Sequence, residues 1–197
     1  MLQEPEIIRR CQCGQPQMLE LLIQRYETPL YTLCRKLTRD RMDADDLYQD
    51  TWVAAVRGLA GFSLERSFRA WLFAICLNRY RDLYRTRRRW ARRVRRFFRG
   101  AEGGESDEGD ARIASPEASP AERHERQARR DDVRQALDRL DDLHRLPLLL
   151  HYDRGLSIEE IAAALDVPAG TVKSRMATGR RKLREILTAG GEQEADV

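Results

Sequence analysis

The sequence predicts an all-α fold: two small helical domains joined by a flexible acidic linker, the C-terminal one containing a helix-turn-helix. Three observations carry that expectation. Apolar residues recur at helical spacing along most of the chain, no alternating strand pattern of useful length appears, and one internal stretch is too polar to build a core. A chain of 197 residues has room for two such domains. With 42% hydrophobic residues it can fill two cores, and with 35% charged residues much of its surface is strongly solvated.

Residues 1–14 read as a polar N-terminal tail, and the first domain spans 15–96. Leu19, Leu22, Ile23, Tyr26, Leu30, Leu33, Cys34 and Leu37 form one apolar stripe at helical spacing. Pro29 interrupts it, which predicts two helices or one kinked helix. Asp43 then reads as an N-cap, with acids in the first turn where the helix dipole favours them. That helix carries Leu47, Tyr48, Thr51, Trp52, Ala55, Val56 and Leu59 on one side, and Gly58 and Gly61 end it. On its other side positions 46, 49, 50, 53 and 57 lie together. A third run turns Phe68, Trp71, Leu72, Ile75, Cys76 and Leu83 inward. Phe68 and Trp71 read as core on helical spacing.

Residues 97–119 break this order. Gly, Ser, Glu, Asp and Pro dominate, which predicts a disordered linker. Ser119-Pro120-Ala121-Glu122 restarts helix with a capping serine, a proline at the first helical position and a glutamate able to close a capping box. The second domain spans 120–188 and leaves 189–197 as a tail. Within it Ser157 and Glu160 fit another capping box, ahead of Ile158, Ile161, Ala162 and Leu165. Asp166-Val167-Pro168-Ala169-Gly170 cannot easily continue that helix. A basic helix follows from Thr171, with Val172, Met176, Leu183, Ile186 and Leu187 on its apolar side. Two helices, a tight turn and a basic second helix predict a helix-turn-helix whose second helix enters the DNA major groove. A helical hairpin with a solvated basic face fits the same pattern.

Charge is unevenly placed. The formal net charge is only +4, yet Arg79 to Arg99 holds eleven arginines against one acid, Asp82. Gly100 to Glu122 holds seven acids against one arginine. The basic stretch seeks an anion, and nucleic acid fits best. The start of the chain lacks the apolar core of a secretory signal, and no stretch approaches a membrane span, so a cytoplasmic protein is expected. Cys11, Cys13, Cys34 and Cys76 are too few for a disulfide scaffold. Cys34 and Cys76 fall on apolar stripes, whereas Cys11 and Cys13 sit in the tail with no standard zinc spacing and no nearby histidine. An enzyme is not expected. The chain shows no phosphate loop and no plausible metal-ligand set, and its three histidines (His124, His144, His151) form no cleft-like constellation. No cofactor, catalytic residue, metal site or small-molecule substrate is therefore expected.

Three blocks resemble bacterial sigma factors. Asp43-Ala44-Asp45-Asp46-Leu47-Tyr48-Gln49-Asp50 resembles their acidic signature. Ser67 to Ile75, followed by Asn78 and Asp82, resembles the next block. Gly155-Leu156-Ser157-Ile158-Glu159-Glu160-Ile161-Ala162, Val167-Pro168 and Gly170 to Arg175 resemble their C-terminal helix-turn-helix. The two-domain layout is similar to the extracytoplasmic-function (ECF) subfamily, and the resemblance covers roughly residues 15–187.

The resemblance implies a factor that binds core RNA polymerase first and promoter DNA second. Asp46, Gln49 and Asp50 match the family positions that dock on the β′ coiled coil, and Asp43 and Asp45 read as ordinary solvated acids. A contact with the β subunit is implied as well. Phe62, Asn78, Arg81 and Arg85, with the loop Ala60 to Arg66, match the surface that reads the −10 element as it opens. Arginines would neutralise phosphates, asparagine would pair with base edges, and Phe62 would stack on an unpaired base. Arg87 to Arg99 reads as a phosphate-seeking tail. Thr171, Lys173, Ser174, Arg175 and Arg180 fall on the helix that reads the −35 element. The chain departs from the family at Ala177-Thr178-Gly179, where Gly179 implies either close approach to DNA or a kink. An anti-sigma factor is a further implied partner. A stand-alone helix-turn-helix regulator is the competing reading, but it needs neither the acidic Asp46 face nor the long first domain.

Overall fold

The computed structural model describes residues 2–38, 40–97 and 132–194, with side chains described as far as residue 84 in the first part and 189 in the second. The chain divides into two compact units, one within residues 1–110 and one within 111–197. All regular structure among the described residues is helical.

Unit 1 begins earlier than the sequence suggested. Residues 1–14 are not a tail, because α1 (Glu4–Gln12) packs Ile7 and Ile8 into the core at 2% exposure each. Pro5 sits in the first turn, where its missing N–H removes no helical bond. The far end closes in a Schellman motif: Gln15 N–H donates to the Arg10 carbonyl at 3.0 Å and Gly14 N–H to Cys11 at 3.2 Å. Gly14 takes φ +83°, a left-handed conformation that a side chain would strain. A short 3₁₀ turn (Pro16–Met18) leads into the next helix.

Helix α2 (Leu19–Leu37) runs unbroken through Pro29. An internal proline costs about 3 kcal/mol. Against that cost stand Leu22, Tyr26, Leu30, Leu33, Cys34 and Leu37, all buried and placed on both sides of the proline. At roughly 1.5–3 kcal/mol for each large apolar side chain, that face outweighs the proline. The two-helix alternative therefore fails.

Helix α3 (Arg41–Gly58) is capped three residues earlier than expected. Asp40, in extended conformation, is the N-cap and accepts from Met42 N–H at 3.3 Å. Asp43 lies one turn inside and is only 8% exposed. Neither it nor Asp45 is an ordinary solvated acid, since Tyr31 donates its hydroxyl to Asp45 Oδ1 at 2.7 Å. The inward face carries Ala44, Leu47, Thr51, Trp52 and Ala55. Val56 was expected on that face but is 45% exposed.

After a 3₁₀ turn (Leu59–Gly61), α4 runs from Phe68 to Phe97. Its buried line is Phe68, Leu72, Phe73, Cys76, Leu77 and Tyr80, while Ile75 and Leu83 are only half-buried. The true inward stripe is thus rotated slightly from the expected one. Where α2 meets α4, Cys34 Sγ lies 3.7 Å from Cys76 Sγ, and both residues are fully buried free thiols. The Cys76 thiol and burial together push the Cys34 thiol well above its ordinary value, so it stays protonated.

In unit 2, residues 132–138 are helical (α5) and are followed by α6 (Asp142–Leu148) and a π turn (Leu149–Asp153). Then come α7 (Ile158–Leu165) and α8 (Ala169–Glu194), whose last turns extend into the stretch expected as a C-terminal tail. The core is Leu146, Leu148, Leu149, Leu150, Leu156, Ile161, Leu165, Val172 and Met176. The expected linker, apart from Phe97, and the capping box at Ser119 lie outside the described residues.

Folding of α1 onto unit 1 makes a direct prediction. Ile8→Ala removes a fully enclosed side chain and is expected to lower stability by about 2–5 kcal/mol, read from denaturant melts of the whole chain. A genuine tail would tolerate the change.

Candidate nucleic-acid and partner interfaces

The outward side of α3 is one surface of mixed character. Asp46, Gln49 and Asp50 are all exposed, with Arg57 one to two turns on. Among them stand Met42, Val53 and Val56, exposed at 69%, 47% and 45%. Steps of three and four residues run from Met42 through Asp46, Gln49 and Asp50 to Val53 and Val56, so apolar side chains stand at both ends of the acids on one face. Val56 went unread as surface because an apolar residue at helical spacing looks like core, and Met42 because it lies ahead of the expected cap at Asp43. A partner helix that is basic and partly apolar is complementary to this face.

The second surface belongs to α4 and the loop before it. Asn78 and Arg79 are exposed, and half-buried Arg81 donates to Asn78 Oδ1 at 3.3 Å. Asn78 and Arg81 therefore stand together at the surface. The side chains of Arg85 and of the arginines from Arg87 to Arg99 lie outside the described residues. The loop Ser63–Arg66 presents mostly exposed side chains and folds on itself, Arg66 N–H donating to the Ser63 carbonyl at 3.1 Å.

Phe62 does not join this surface. It is 6% exposed, with its ring 4.8 Å from Trp71 and 5.5 Å from Phe68. The expectation of a stacking residue here is corrected, because an aromatic buried among aromatics has no free face for a base. Phe68 is core as expected, while Trp71 keeps part of its ring exposed. Gly58 makes room for that ring: a Cβ there would meet Trp71 Cζ2 at 3.1 Å. Among the described residues of α4 the exposed aromatic is Tyr84 (49%), which continues the line of Leu77 and Tyr80 past the end of the core.

The third surface is the helix-turn-helix. Ser157 and Glu160 form the full capping box, the Ser157 Oγ accepting from Glu160 N–H at 3.1 Å and Glu160 Oε2 accepting from Ser157 N–H at 2.9 Å. Asp166 ends α7 in the left-handed region at φ +55°, and Val167 N–H donates to the Ala162 carbonyl at 3.1 Å. Three residues therefore separate the two helices, the short turn this motif needs. In the first turns of α8, Lys173 and Ser174 are exposed, and Thr171 and Arg175 half-buried. Arg180 is exposed a turn beyond, with a guanidinium nitrogen 3.5 Å from the Tyr152 hydroxyl.

Packing against α6 fixes how α8 sits. A Cβ on Gly179 would lie 2.9 Å from Leu148 Cδ1 and 3.2 Å from the His144 carbonyl oxygen. Gly179 is buried at a helix crossing within the continuous α8, so packing accounts for it rather than a close approach to DNA. Beside it, the N-cap Asp141 accepts from the ring of His144 at 2.6 Å and from Lys182 at 3.3 Å. Partial burial raises the Asp141 carboxyl, but the His144 and Lys182 hydrogen bonds outweigh it and hold the group below its usual value.

An arginine-bearing helix in one unit and a helix-turn-helix in the other define a DNA-recognition protein of two modules. Residues 22–97 match Sigma-70 region 2 and residues 136–185 match Sigma-70, region 4. The RNA polymerase sigma factor CnrH of Cupriavidus metallidurans is 36% identical over 172 residues, 87% of this chain and 87% of its own. The ECF RNA polymerase sigma factor SigW of Bacillus subtilis is 26% identical over 182 residues, 91% of this chain and 94% of its own. The solved complex of CnrH with the cytosolic domain of CnrY superposes with a TM-score of 0.66 at 30% identity, covering 94% of this chain and 97% of that one. The sigma factor RpoE bound to the anti-sigma factor NepR, from Bartonella quintana, gives 0.64 at 25% identity, covering 86% and 96%. The chain belongs to the ECF subfamily of sigma-70 factors, and so directs RNA polymerase to promoters for transcription initiation. No helix among the described residues is long and apolar enough to cross a membrane.

The crossing at Gly179 is testable. Gly179→Val forces a branched side chain against the His144 backbone and is expected to cost about 1–3 kcal/mol. Thermal melts of the full chain will show the loss, and a kink or DNA-contact role would leave them unchanged.

Proposed function

We propose that the outward face of α3, centred on Asp46, Gln49 and Asp50, is the docking surface for the β′ coiled coil of core RNA polymerase. The observation that carries this reading is the exposure of three apolar side chains, Met42, Val53 and Val56, among those acids. Exposed apolar residues grouped with acids mark an interaction face rather than a solvated one. Unit 2 adds the contact with the β subunit.

Asn78, Arg81 and Arg85, with the loop Ser63–Arg66, read the −10 element. In support, Asn78 and Arg81 stand together at the surface of α4, and the loop that leads into this helix is self-bonded. Unstacking a base costs a few kcal/mol, and capture on a protein surface offsets it, so opening needs no chemistry by the protein itself. Thr171, Lys173, Ser174 and Arg175 read the −35 element from the start of α8, with Arg180 on the adjoining phosphates. The position of these residues in the first turns agrees with how recognition helices present side chains to the major groove. The protein acts in the cytoplasm, where polymerase is, without enzymatic activity of its own. An anti-sigma factor is its regulatory partner, a reading supported by the solved complexes of CnrH with the CnrY cytosolic domain and of RpoE with NepR.

The double substitution Asp46→Arg with Asp50→Arg is expected to weaken core polymerase binding at least tenfold, since like charges now face a basic partner and two rim charges each contribute roughly 0.5–1 kcal/mol or more. Circular dichroism should show an intact fold. A folded double variant with undiminished affinity would reject the docking assignment.

Lys173→Ala and Arg175→Ala should each reduce transcription by a factor that depends on the −35 sequence, as contacts to base edges are worth about 1–3 kcal/mol. Run-off assays on a panel of −35 variants measure it. Equal loss on every sequence would assign both residues to phosphate instead.

A further inference from the structure

Helix α1 lies ahead of residues 22–97, the part of unit 1 that matches the family, yet it touches the segment from which the proposed −10 loop springs. The contact is specific. Gln12 uses both N–H groups of its side-chain amide, donating to the Leu59 carbonyl at 2.9 Å and to the Phe62 carbonyl at 2.8 Å. Leu59 opens the 3₁₀ turn that follows α3, its carbonyl also accepting from Phe62 N–H at 3.1 Å, and Phe62 caps that turn, so Gln12 bridges its two ends. Gln12 itself is held firmly. It is the last residue of α1, and the Schellman closure at Gly14 fixes the backbone directly after it.

We propose that Gln12 is a positioning residue for promoter reading: from the N-terminal helix it clamps the root of the loop Ser63–Arg66 and so presets that loop for the opened −10 strand. The inference rests on the assignment of this loop to −10 reading. Three anchors bracket the loop. The Phe62 ring is buried against Phe68 and Trp71, Gln12 holds the carbonyls of Leu59 and Phe62, and Ser67 Oγ accepts from Ala70 N–H at 3.2 Å at the start of α4. Between these anchors the loop is shaped by its own turn, in which Arg66 N–H donates to the Ser63 carbonyl and Glu65 N–H to Ser63 Oγ. A loop fixed at both roots loses less entropy when it captures a base, and its shape can discriminate between bases. Removing the Gln12 donors frees one root while leaving the Phe62 ring and the apolar contacts of α1 in place.

The test uses the full chain assembled with core polymerase and a pool of single-stranded DNA randomised over the −10 positions. Gln12→Met keeps the length and helix propensity of the side chain but not its donors. Gln12→Glu sets a carboxylate against the two carbonyls. Both variants are expected to fold, with at most a modest drop in melting temperature for the lost hydrogen bonds, and to bind core polymerase equally well. Their base preference, read by sequencing the captured strands, should flatten about three- to tenfold, the worth of one ordinary hydrogen bond or slightly more. Unchanged base preference overturns the inference. So does a lowered melting temperature or weakened polymerase binding with preference retained, because Gln12 is then only a structural contact. Replacing Ser63–Arg66 with a Gly-Ser stretch of equal length separates the two levels. If that replacement leaves base preference intact, the −10 assignment of the loop fails. If it flattens preference while both Gln12 variants do not, only the clamp fails.

Discussion

The rings of Phe62, Phe68 and Trp71 pack with centroids 4.8–5.5 Å apart, and Tyr26 of α2 closes on Phe68 at 5.3 Å. This cluster ties together α2, the turn after α3 and the first turn of α4, elements that chain connectivity alone leaves free to pivot. Aromatic side chains bury about 150–250 Å² each, so the joint is among the strongest in unit 1. Its geometry sets the direction in which α4 leaves the bundle, and hence where Asn78 and Arg81 stand. It also sets where the loop after Phe62 must begin. Gly58 belongs to the same constraint, because a Cβ there would meet Trp71 Cζ2 at 3.1 Å and push the ring back by a few tenths of an ångström.

Unit 2 solves the corresponding problem with a small residue and a cap. Gly179 lets α8 lie against the last turn of α6, and Asp141 draws Lys182 of α8 toward its own helix start. The capping box at Ser157 and the left-handed Asp166 fix both ends of α7. The first turns of α8 are thereby held outward by packing on their buried side, at Val172 and Met176, rather than by anything that touches Lys173 or Ser174. Lys173 and Ser174 are left exposed while the scaffold beneath them is closely specified.

Much of this was legible from residue spacing. The α2 stripe, the two-helix motif, the Ser157 capping box and the exposure of Asp46, Gln49 and Asp50 all follow from helical periodicity and capping chemistry. Periodicity reports which side of a helix is apolar, but it does not report where the core stops. Hence Val56 and Tyr84, apolar or aromatic at core spacing, stand exposed because no described element covers them. The reverse error placed Phe62 on the surface: a loop aromatic has no periodicity, and only the neighbouring rings reveal its burial. The short α1 was missed because Ile7 and Ile8 are too few to make a stripe, although Pro5 and Gly14 mark its two ends. Pro29 was weighed as a local breaker, whereas tertiary burial on both sides of it prevailed. Gly179 carries no sign in sequence of what it packs against. The residue-by-residue roles toward polymerase and promoter are a further step, resting on exposure and family likeness.

The central claim is that unit 1 and unit 2 read two elements of one promoter only when mounted on core polymerase. Photo-crosslinking tests it most directly, with a benzophenone amino acid placed singly at Asn78 and at Ser174. With core polymerase and a promoter recovered by run-off transcription of genomic fragments, the account predicts crosslinks from Asn78 to the −10 strand and from Ser174 to the −35 duplex, both dependent on polymerase. Equal crosslinking of both positions to duplex DNA in the absence of polymerase would contradict it.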